Sequence, residues 1–244
     1  VLRTLQARPD IHTSVETLFQ QAALGYASYV KRNRKTKEDE THAIDDAARE
    51  AECQRFVAYF NDRMRNYCLD LGYRHDVIDA TLAADWPAGR IGDFFARLAA
   101  VKELVDAGDI EPLRELAERT FNVLRSKEVS DAERDGLPDA ADEKALVAAE
   151  EKALFKAFNA TRGTVETHLA AGEFVAAANA CRKGLAEPVH VFFEKVDVLK
   201  DRDGKDVPAA QRRNRLAMLR AIYRLLGDRF AGLNRLVRSG TEGS

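Results

Sequence analysis

Glycine, proline, cysteine and long apolar runs are all scarce in this chain. Its 244 residues include 14 Gly, 6 Pro and 3 Cys. So few turn-forming residues leave little room for the frequent turns of an all-β fold. No apolar run approaches about 18 residues, so no transmembrane helix is expected. Cys53, Cys68 and Cys181 are far apart and form no CxxC pair. This pattern argues against a disulfide framework or a zinc site and indicates a reducing, cytoplasmic compartment.

The charge of the whole chain is close to balanced. Its formal net charge is −2, which argues against binding nucleic acid over the entire surface but allows a local basic patch. The chain starts at Val1 without an initiator Met or a signal-peptide pattern. This start indicates a piece excised from a longer chain, although removal of a tag would look the same.

Apolar residues recur with the period of an α-helix along nearly the whole chain. We predict helices at residues 14–34, 43–71, 75–83, 91–107, 111–125, 144–171, 174–184, 188–199 and 211–236. No segment reads convincingly as a strand. The sequence therefore predicts an all-α fold, a bundle of about eight or nine helices.

Several residues are suited to the starts and ends of these helices. Ser14 is a candidate N-cap, Gly72 suits the position after a helix end, and Asp109 with Pro112 suits a helix start. The dense charge run at residues 31–40 predicts an exposed, mobile connection. We therefore divide the chain into residues 1–40, residues 41–238 and a disordered tail at 239–244.

Residues 128–151 are strongly acidic. They carry nine acids against Arg134 and Lys144, and Gly136 and Pro138 lie near their centre. This composition predicts a loop at about residues 128–142, either ordered or disordered.

The helix at residues 211–236 concentrates positive charge. Residues 211–238 contain eight arginines against one acid, Asp228. Arg213, Arg220 and Arg224 form a stripe that spans about 16 Å and lies about 110° from the apolar seam of the same helix. Such a stripe is typical of a surface that binds a polyanion, or of a solvated helix face. The charge alone leaves both open.

Motifs for catalysis are missing from the sequence. Neither a phosphate-binding GxxxxGK[ST] or GxGxxG loop nor a GxSxG elbow occurs. His75 and Asp76 match half of a metal-dependent phosphohydrolase signature, but the other histidines have no matching spacing. Asp76 is better interpreted as a helix cap. We therefore expect no catalytic residue and no metal site.

Arginine, amide and aromatic side chains also cluster outside the last helix. Arg63 and Asn66 flank Tyr67, and Asn122 follows Phe121. Unpaired RNA bases are recognised by stacking and by edge hydrogen bonds, while arginines hold phosphates. Each of these side chains has a structural alternative, and Asn122 in particular is suited to capping or bridging helices.

Several blocks resemble the β subunit of bacterial glycyl-tRNA synthetase. The longest runs from Phe60 to Ala80 and includes DVIDA at residues 76–80. Further blocks are similar to the family's motifs in the same order: residues 119–124, residues 187–188 with 192–198, and the positions Arg212, Asn214, Arg215, Leu216, Leu219 and Leu225. The chain departs from the family pattern at Gln20 and Gln21, where the family has two arginines.

The resemblance implies the C-terminal anticodon-binding region, of a helical type shared with arginyl-tRNA synthetase. It implies a partner α subunit that uses ATP to activate glycine, in an α2β2 assembly or a fused αβ chain. This region would need no cofactor of its own and would bind tRNA, not DNA or a membrane. We expect Arg213, Arg220 and Arg224 to contact phosphates, with Arg63, Asn66 and Asn122 as further tRNA contacts. The alternative is a non-catalytic interaction module whose arginine face pairs with an acidic partner subunit.

Overall fold

The fold consists of helices and one small hairpin. The computed structural model describes residues 3, 7, 14–24, 28–32, 35–37, 39–43, 45–84, 91–201 and 203–237. In chain order the elements are α1 (Val15–Leu24), β1 (Ser28–Arg32), β2 (Asp39–Ala43), α2 (Asp46–Asp70), α3 (His75–Leu82), α4 (Ile91–Asp106), α5 (Glu111–Leu124), α6 (Asp131–Asp135), α7 (Ala149–Ala170), α8 (Phe174–Lys195) and α9 (Ala209–Tyr223). The predicted all-α class is confirmed, with nine α-helices among the described residues. None of these described helices combines the length and apolar character that crossing a bilayer requires.

The hairpin corrects two predictions. Strands β1 and β2 pair antiparallel, with Ser28 opposite Ala43 and Arg32 opposite Asp39. The expected helix to residue 34 ends at Leu24 instead, and most of the supposed mobile connection at residues 31–40 belongs to the strands or their turn. Tyr29 and Val30 favour extended backbone, and the charges that follow do not prevent strand pairing. The predicted tail at residues 239–244 lies outside the described residues.

The chain divides into two compact units. The first comprises residues 1–73 and 86–95, and the second residues 74–85 and 96–244. In the first unit α1 packs on α2, where the rings of Phe19 and Phe56 stack with centroids 4.9 Å apart. The boundary predicted at residues 40 and 41 differs from this division, because α2 takes its core partner from the segment before it.

The predicted helix signals of this unit are confirmed. The Ser14 hydroxyl accepts a hydrogen bond of 2.7 Å from the Thr17 N–H, as an N-cap does. Gly72 follows α2 with a φ of +84°, a conformation that residues with a Cβ rarely adopt. The sequence therefore marks both the start of α1 and the end of α2.

In the second unit α7 packs on α8, and α5 packs on both α8 and α9. The predicted apolar seam of α9 is buried at Leu216 and Leu219, which are inaccessible to solvent, while Tyr223 is half-buried. Arg97 from α4 is also buried, and its guanidinium donates to the carbonyls of Arg229 and Phe230. The chain after α9 is thus fixed by hydrogen bonds to α4 as well as by apolar packing.

Helix α8 runs unbroken through Pro188, where a break had been predicted. Proline cannot donate to the carbonyl four residues earlier, which here belongs to Gly184. Gly184 also marks a close approach of two helices, because a Cβ at this position would lie 2.1 Å from the Thr161 Oγ1. Packing against α7 keeps the helix continuous despite the proline.

Two predicted helix starts are wrong. The N-cap of α5 is Ile110, not Asp109, although Pro112 occupies the first turn as expected. Helix α7 begins at Ala149 rather than Lys144, because the Glu151 carboxylate accepts hydrogen bonds from the N–H groups of Val147 and Ala148 and fixes the start there.

Candidate nucleic-acid interface

The predicted arginine stripe lies on α9 and the turn that follows, but its three members differ in exposure. Arg213 is exposed and donates a 2.8 Å hydrogen bond to the Gly136 carbonyl. The Arg224 side chain is 48% exposed and lies 3.1 Å from Asp139. Arg220 retains only 15% of its side-chain exposure. The expectation that all three arginines face outward is wrong for Arg220.

Arg220 is enclosed by backbone carbonyls. Its guanidinium donates to Arg134 at 3.1 Å, Leu137 at 2.7 Å and Pro138 at 2.8 Å. Burial lowers its pKa, and the neighbouring positive charge of Arg224 lowers it further, while Asp139 opposes the shift. Its hydrogen bonds hold the loop in place, so Arg220 is positioned as a structural residue.

The acidic segment that covers α9 is ordered. Ser130 caps the short helix α6 by accepting from the Glu133 N–H, and the chain then turns through Gly136 and Pro138. Of the two alternatives for residues 128–142, the ordered loop is therefore the one the structure adopts. Its carboxylates and carbonyls face the arginines, and this complementarity explains why so charged a segment packs on the bundle.

Arg212 and Arg215 lie on the packed side of α9. Arg212 forms an ion pair with Glu133, with Nε 2.8 Å from Oε1. Arg215 forms a buried ion pair with Glu151 and donates to the Asp197 carbonyl at 2.7 Å. Both arginines therefore stabilise the bundle.

A groove of about 340 Å³ opens where α5, the acidic loop and the end of α9 meet. The rings of Phe121 and Tyr223 lie in its wall with centroids 5.7 Å apart. Its charged lining consists of Arg125, Asp131, Arg134, Asp135, Arg220, Arg224 and Asp228. Because four cations oppose three acids, the groove has only a small excess of positive charge.

The remaining predicted tRNA contacts lie outside the arginine stripe. Asn122 is exposed on α5, next in sequence to Phe121 of the groove. Arg63 and Asn66 are exposed on α2 in the first compact unit, and Arg63 donates to the Tyr59 hydroxyl at 2.9 Å. The six predicted residues are thus divided between the two units.

Asp76 is a structural carboxylate. It accepts from the Val77 N–H at 3.0 Å, from the Val237 N–H at 2.9 Å and from Nε and Nη2 of Arg74. Burial alone would raise its pKa, but the hydrogen bonds from Val237, Arg74 and Val77 together lower it. The predicted capping role is wrong, because the N-cap of α3 is Arg74 and Asp76 lies within the first turn of the helix. Among the described residues no group of three or more metal-ligating side chains is found.

A second cationic surface was not predicted from the sequence. It lies beside the first turns of α7, where Lys152, Phe155, Lys156 and Asn159 line a groove of about 440 Å³. These residues are spaced i, i+3, i+4 and i+7, which places them on one face of the helix. The sequence contains this spacing, but the strongly acidic residues 128–151 directly before it made a cationic surface unexpected here.

The fold and these surfaces define an all-α protein with clustered cations beside aromatic rings, a class to which RNA-recognition modules belong. The particular family follows from comparison with known proteins. The chain is 33% identical to the glycine–tRNA ligase β subunit of Ruegeria sp. (strain TM1040) over 182 residues, which are 74% of this chain and 25% of that protein. It is 33% identical over 168 residues to that of Dinoroseobacter shibae, covering 68% of this chain and 22% of that protein.

The β subunit of Paracoccus denitrificans is 28% identical over 181 residues. No family profile matches the chain. The chain spans about a quarter of the length of the curated relatives it matches. It is therefore similar to the glycine–tRNA ligase β subunits over a segment of their length, which confirms the resemblance seen in its motifs.

Proposed function

We propose that this chain binds the anticodon stem-loop of glycine tRNA on behalf of a glycine–tRNA ligase. The similarity to ligase β subunits over 74% of the chain is the observation on which the proposal depends. In this function the chain performs no acyl transfer. An α subunit, separate or fused, uses ATP to attach glycine to the tRNA, and the assembly works in the cytoplasm.

Two arginines are the best placed for phosphates in the arginine stripe. Arg213 and Arg224 are exposed, and each makes only one hydrogen bond to the acidic loop among the described contacts. A phosphate can replace that acceptor without exposing a buried group. Arg220 acts through the loop that it holds, because its release would leave the Leu137 and Pro138 carbonyls without a donor among the described hydrogen bonds.

The amide and aromatic groups supply the second element of RNA recognition. Asn122 lies exposed beside Phe121, close in sequence to the groove that Arg224 also lines. Arg63 and Asn66 form a separate exposed pair on α2. Amide groups hydrogen-bond to base edges, and arginines bind phosphates, so both pairs have the chemistry of an RNA contact.

The alternative function, an arginine face that pairs with an acidic partner subunit, is weakened by one observation. The acidic loop of the same chain already supplies the acceptors for Arg212, Arg213, Arg220 and Arg224. A partner's acids would have to displace these contacts. RNA phosphates face the same competition at Arg213 and Arg224.

A mobility-shift titration of the 244-residue chain with glycine tRNA tests the proposal. Neutralising two phosphates gives log K a slope of about −1.4 against log salt, at about −0.7 per phosphate for single strands. The double change Arg213→Glu and Arg224→Glu should weaken binding and flatten this slope. Lys183→Glu with Lys195→Glu, two exposed lysines of α8, makes the same change of charge elsewhere.

Equal loss of binding in both double variants would show that only net charge matters. Unchanged binding in the arginine variant would remove these residues from the interface. Absence of a tRNA-specific shift from the wild-type chain would contradict the function itself.

A further inference from the structure

The groove beside α7 has lysines with no ion-pair partner. Lys152 and Lys156 are both exposed, and neither forms an ion pair within the part of the chain that the structure describes. The arginines of α9 differ in this respect, because four of them are hydrogen-bonded to the acidic loop. A ligand anion can therefore reach the α7 lysines without displacing a protein group.

The groove combines three kinds of side chain on one helix face. Lys152 and Lys156 are one helical turn apart, which is about 6 Å along the axis. Phe155 is half-buried between them in sequence, and Asn159 is exposed one turn further on. Glu143 is the single acid in the described lining, and Leu146 completes it. The lining has an excess of one positive charge and one aromatic surface.

We infer that this groove binds an unpaired stretch of RNA. Two ammonium groups a turn apart suit successive phosphates of an extended strand, the Phe155 ring offers a face for one base, and the Asn159 amide can both donate to and accept from a base edge. The inference rests on the proposed function in one respect, that the natural RNA is the tRNA.

A double-stranded stem suits the groove less well. In a stem the bases remain stacked on each other, so the Phe155 ring would gain no partner and the Asn159 amide would find no free base edge. Only the two lysines would then contribute. The concave shape, about 440 Å³ in volume, also suits an inserted base better than the convex surface of a helix.

The charges of the two lysines predict how strongly RNA binding should depend on salt. Two neutralised phosphates contribute about −1.4 to the slope of log K against log salt for a single strand. The double change Lys152→Gln and Lys156→Gln should remove this contribution and weaken binding about tenfold or more at 0.15 M salt. Both side chains are exposed, so the double variant should fold like the wild-type chain.

The aromatic ring is tested separately. Phe155→Ala should weaken binding by about fivefold or more through loss of stacking on one base. Phe155→Trp keeps an aromatic face and should retain most of the affinity. Thermal unfolding of both variants shows whether the half-buried ring is also needed for stability, and the lysine pair provides the test if Phe155→Ala does not fold.

The experiment measures fluorescence anisotropy of a labelled single-stranded RNA oligonucleotide and of labelled glycine tRNA against the 244-residue chain. A double-stranded RNA of equal charge is the competitor. We expect the single strand to bind, the lysine variant to lose affinity and salt slope together, and Lys183→Gln with Lys195→Gln to behave like the wild-type chain. The duplex should compete weakly.

The outcomes separate this inference from the proposed function. If tRNA binds and the α7 variants bind it and the oligonucleotide as well as the wild-type chain does, the inference is wrong and the proposed function stands. If the oligonucleotide binds through α7 but tRNA does not bind, the groove is an RNA site and the proposed function fails. Equal binding of single strand and duplex would overturn the assignment to unpaired RNA.

Discussion

The guanidinium of Arg215 and the carboxylate of Glu151 form an ion pair in the interior of the second unit. Their side chains are 10% and 2% exposed. Glu151 also accepts from the Val147 N–H at 2.6 Å, while Arg215 donates to the Asp197 carbonyl at 2.7 Å. One charge pair thus joins the start of α7, the chain after α8 and the middle of α9.

Removing one partner of this pair should destabilise the protein strongly. Glu151→Ala leaves a buried guanidinium uncompensated and two N–H groups without an acceptor, and we expect a loss of about 3–5 kcal/mol in the free energy of unfolding. Urea unfolding followed by circular dichroism measures it. Glu150→Ala, at the neighbouring position, should cost much less, and equal losses would show that the pair is not responsible.

The close contact between Gly184 and Thr161 should also make stability sensitive to substitution. A Cβ at position 184 would lie 2.1 Å from the Thr161 Oγ1 and 2.8 Å from its Cγ2, so Gly184→Ala forces α7 and α8 apart. We expect a loss of about 1–3 kcal/mol in the free energy of unfolding, the range for overpacking.

Two further substitutions complete that test. Thr161→Ala removes the two nearest atoms, so the double variant should be less destabilised than the sum of the two single variants. Gly163→Ala, on α7 where a Cβ would meet nothing within 4 Å, is the matched glycine control. If the losses of stability in Gly184→Ala and Thr161→Ala are strictly additive in the double variant, the close contact is contradicted.

The ion pair between Glu133 and Arg212 makes stability depend on pH. The hydrogen bond from Arg212 lowers the pKa of Glu133. The pair therefore stabilises the folded state above the ordinary glutamate pKa of about 4.3, and its contribution is lost as the pH falls through the lowered folded value. We expect Glu133→Gln to be less stable than the wild-type chain at pH 7 and to approach it in stability at low pH.

Urea titrations at a series of pH values between neutral and about pH 3 measure this effect. Glu187→Gln removes a carboxylate from an exposed position on α8 and should not reproduce the convergence. Parallel curves for the wild-type chain and Glu133→Gln would show that the pair makes no pH-dependent contribution.

Asp139 should restrain RNA binding at the arginine stripe. Its carboxylate is 92% exposed and lies 3.1 Å from Arg224 and 3.4 Å from Arg220. A surface pair of this kind is worth about 0–1 kcal/mol, so Asp139→Asn should hardly change stability and should raise tRNA affinity by up to about fivefold at low salt. Mobility-shift titrations measure the affinity.

Asp203→Asn, in an exposed turn, makes the same charge change away from the stripe. It should leave tRNA affinity closer to that of the wild-type chain. A gain in affinity that is the same for both variants would reflect net charge alone, and no gain for Asp139→Asn would show that Arg224 does not contact phosphate.

Much of the fold could be predicted because helix formation depends mainly on residues that are close together in the sequence. The apolar seam of α9, the Ser14 cap and the stop at Gly72 each depend on residues within a few positions of one another, and all three are present in the structure. The hairpin was missed because strand pairing joins residues that show no alternating pattern of their own. Helix α8 was divided in error because the packing that supports it at Pro188 comes from α7.

The sequence by itself determined that this protein is helical, which face of α9 is packed and which ligase family it resembles. Helical period fixes the first two, since a side chain's direction repeats every 3.6 residues. Only the tertiary structure decided which cations remain available to a ligand. The contacts that enclose Arg220 come from residues more than 80 positions earlier in the sequence, so the helical period of α9 does not reveal them. The same folding event leaves Lys152 and Lys156 without acidic partners among the described residues.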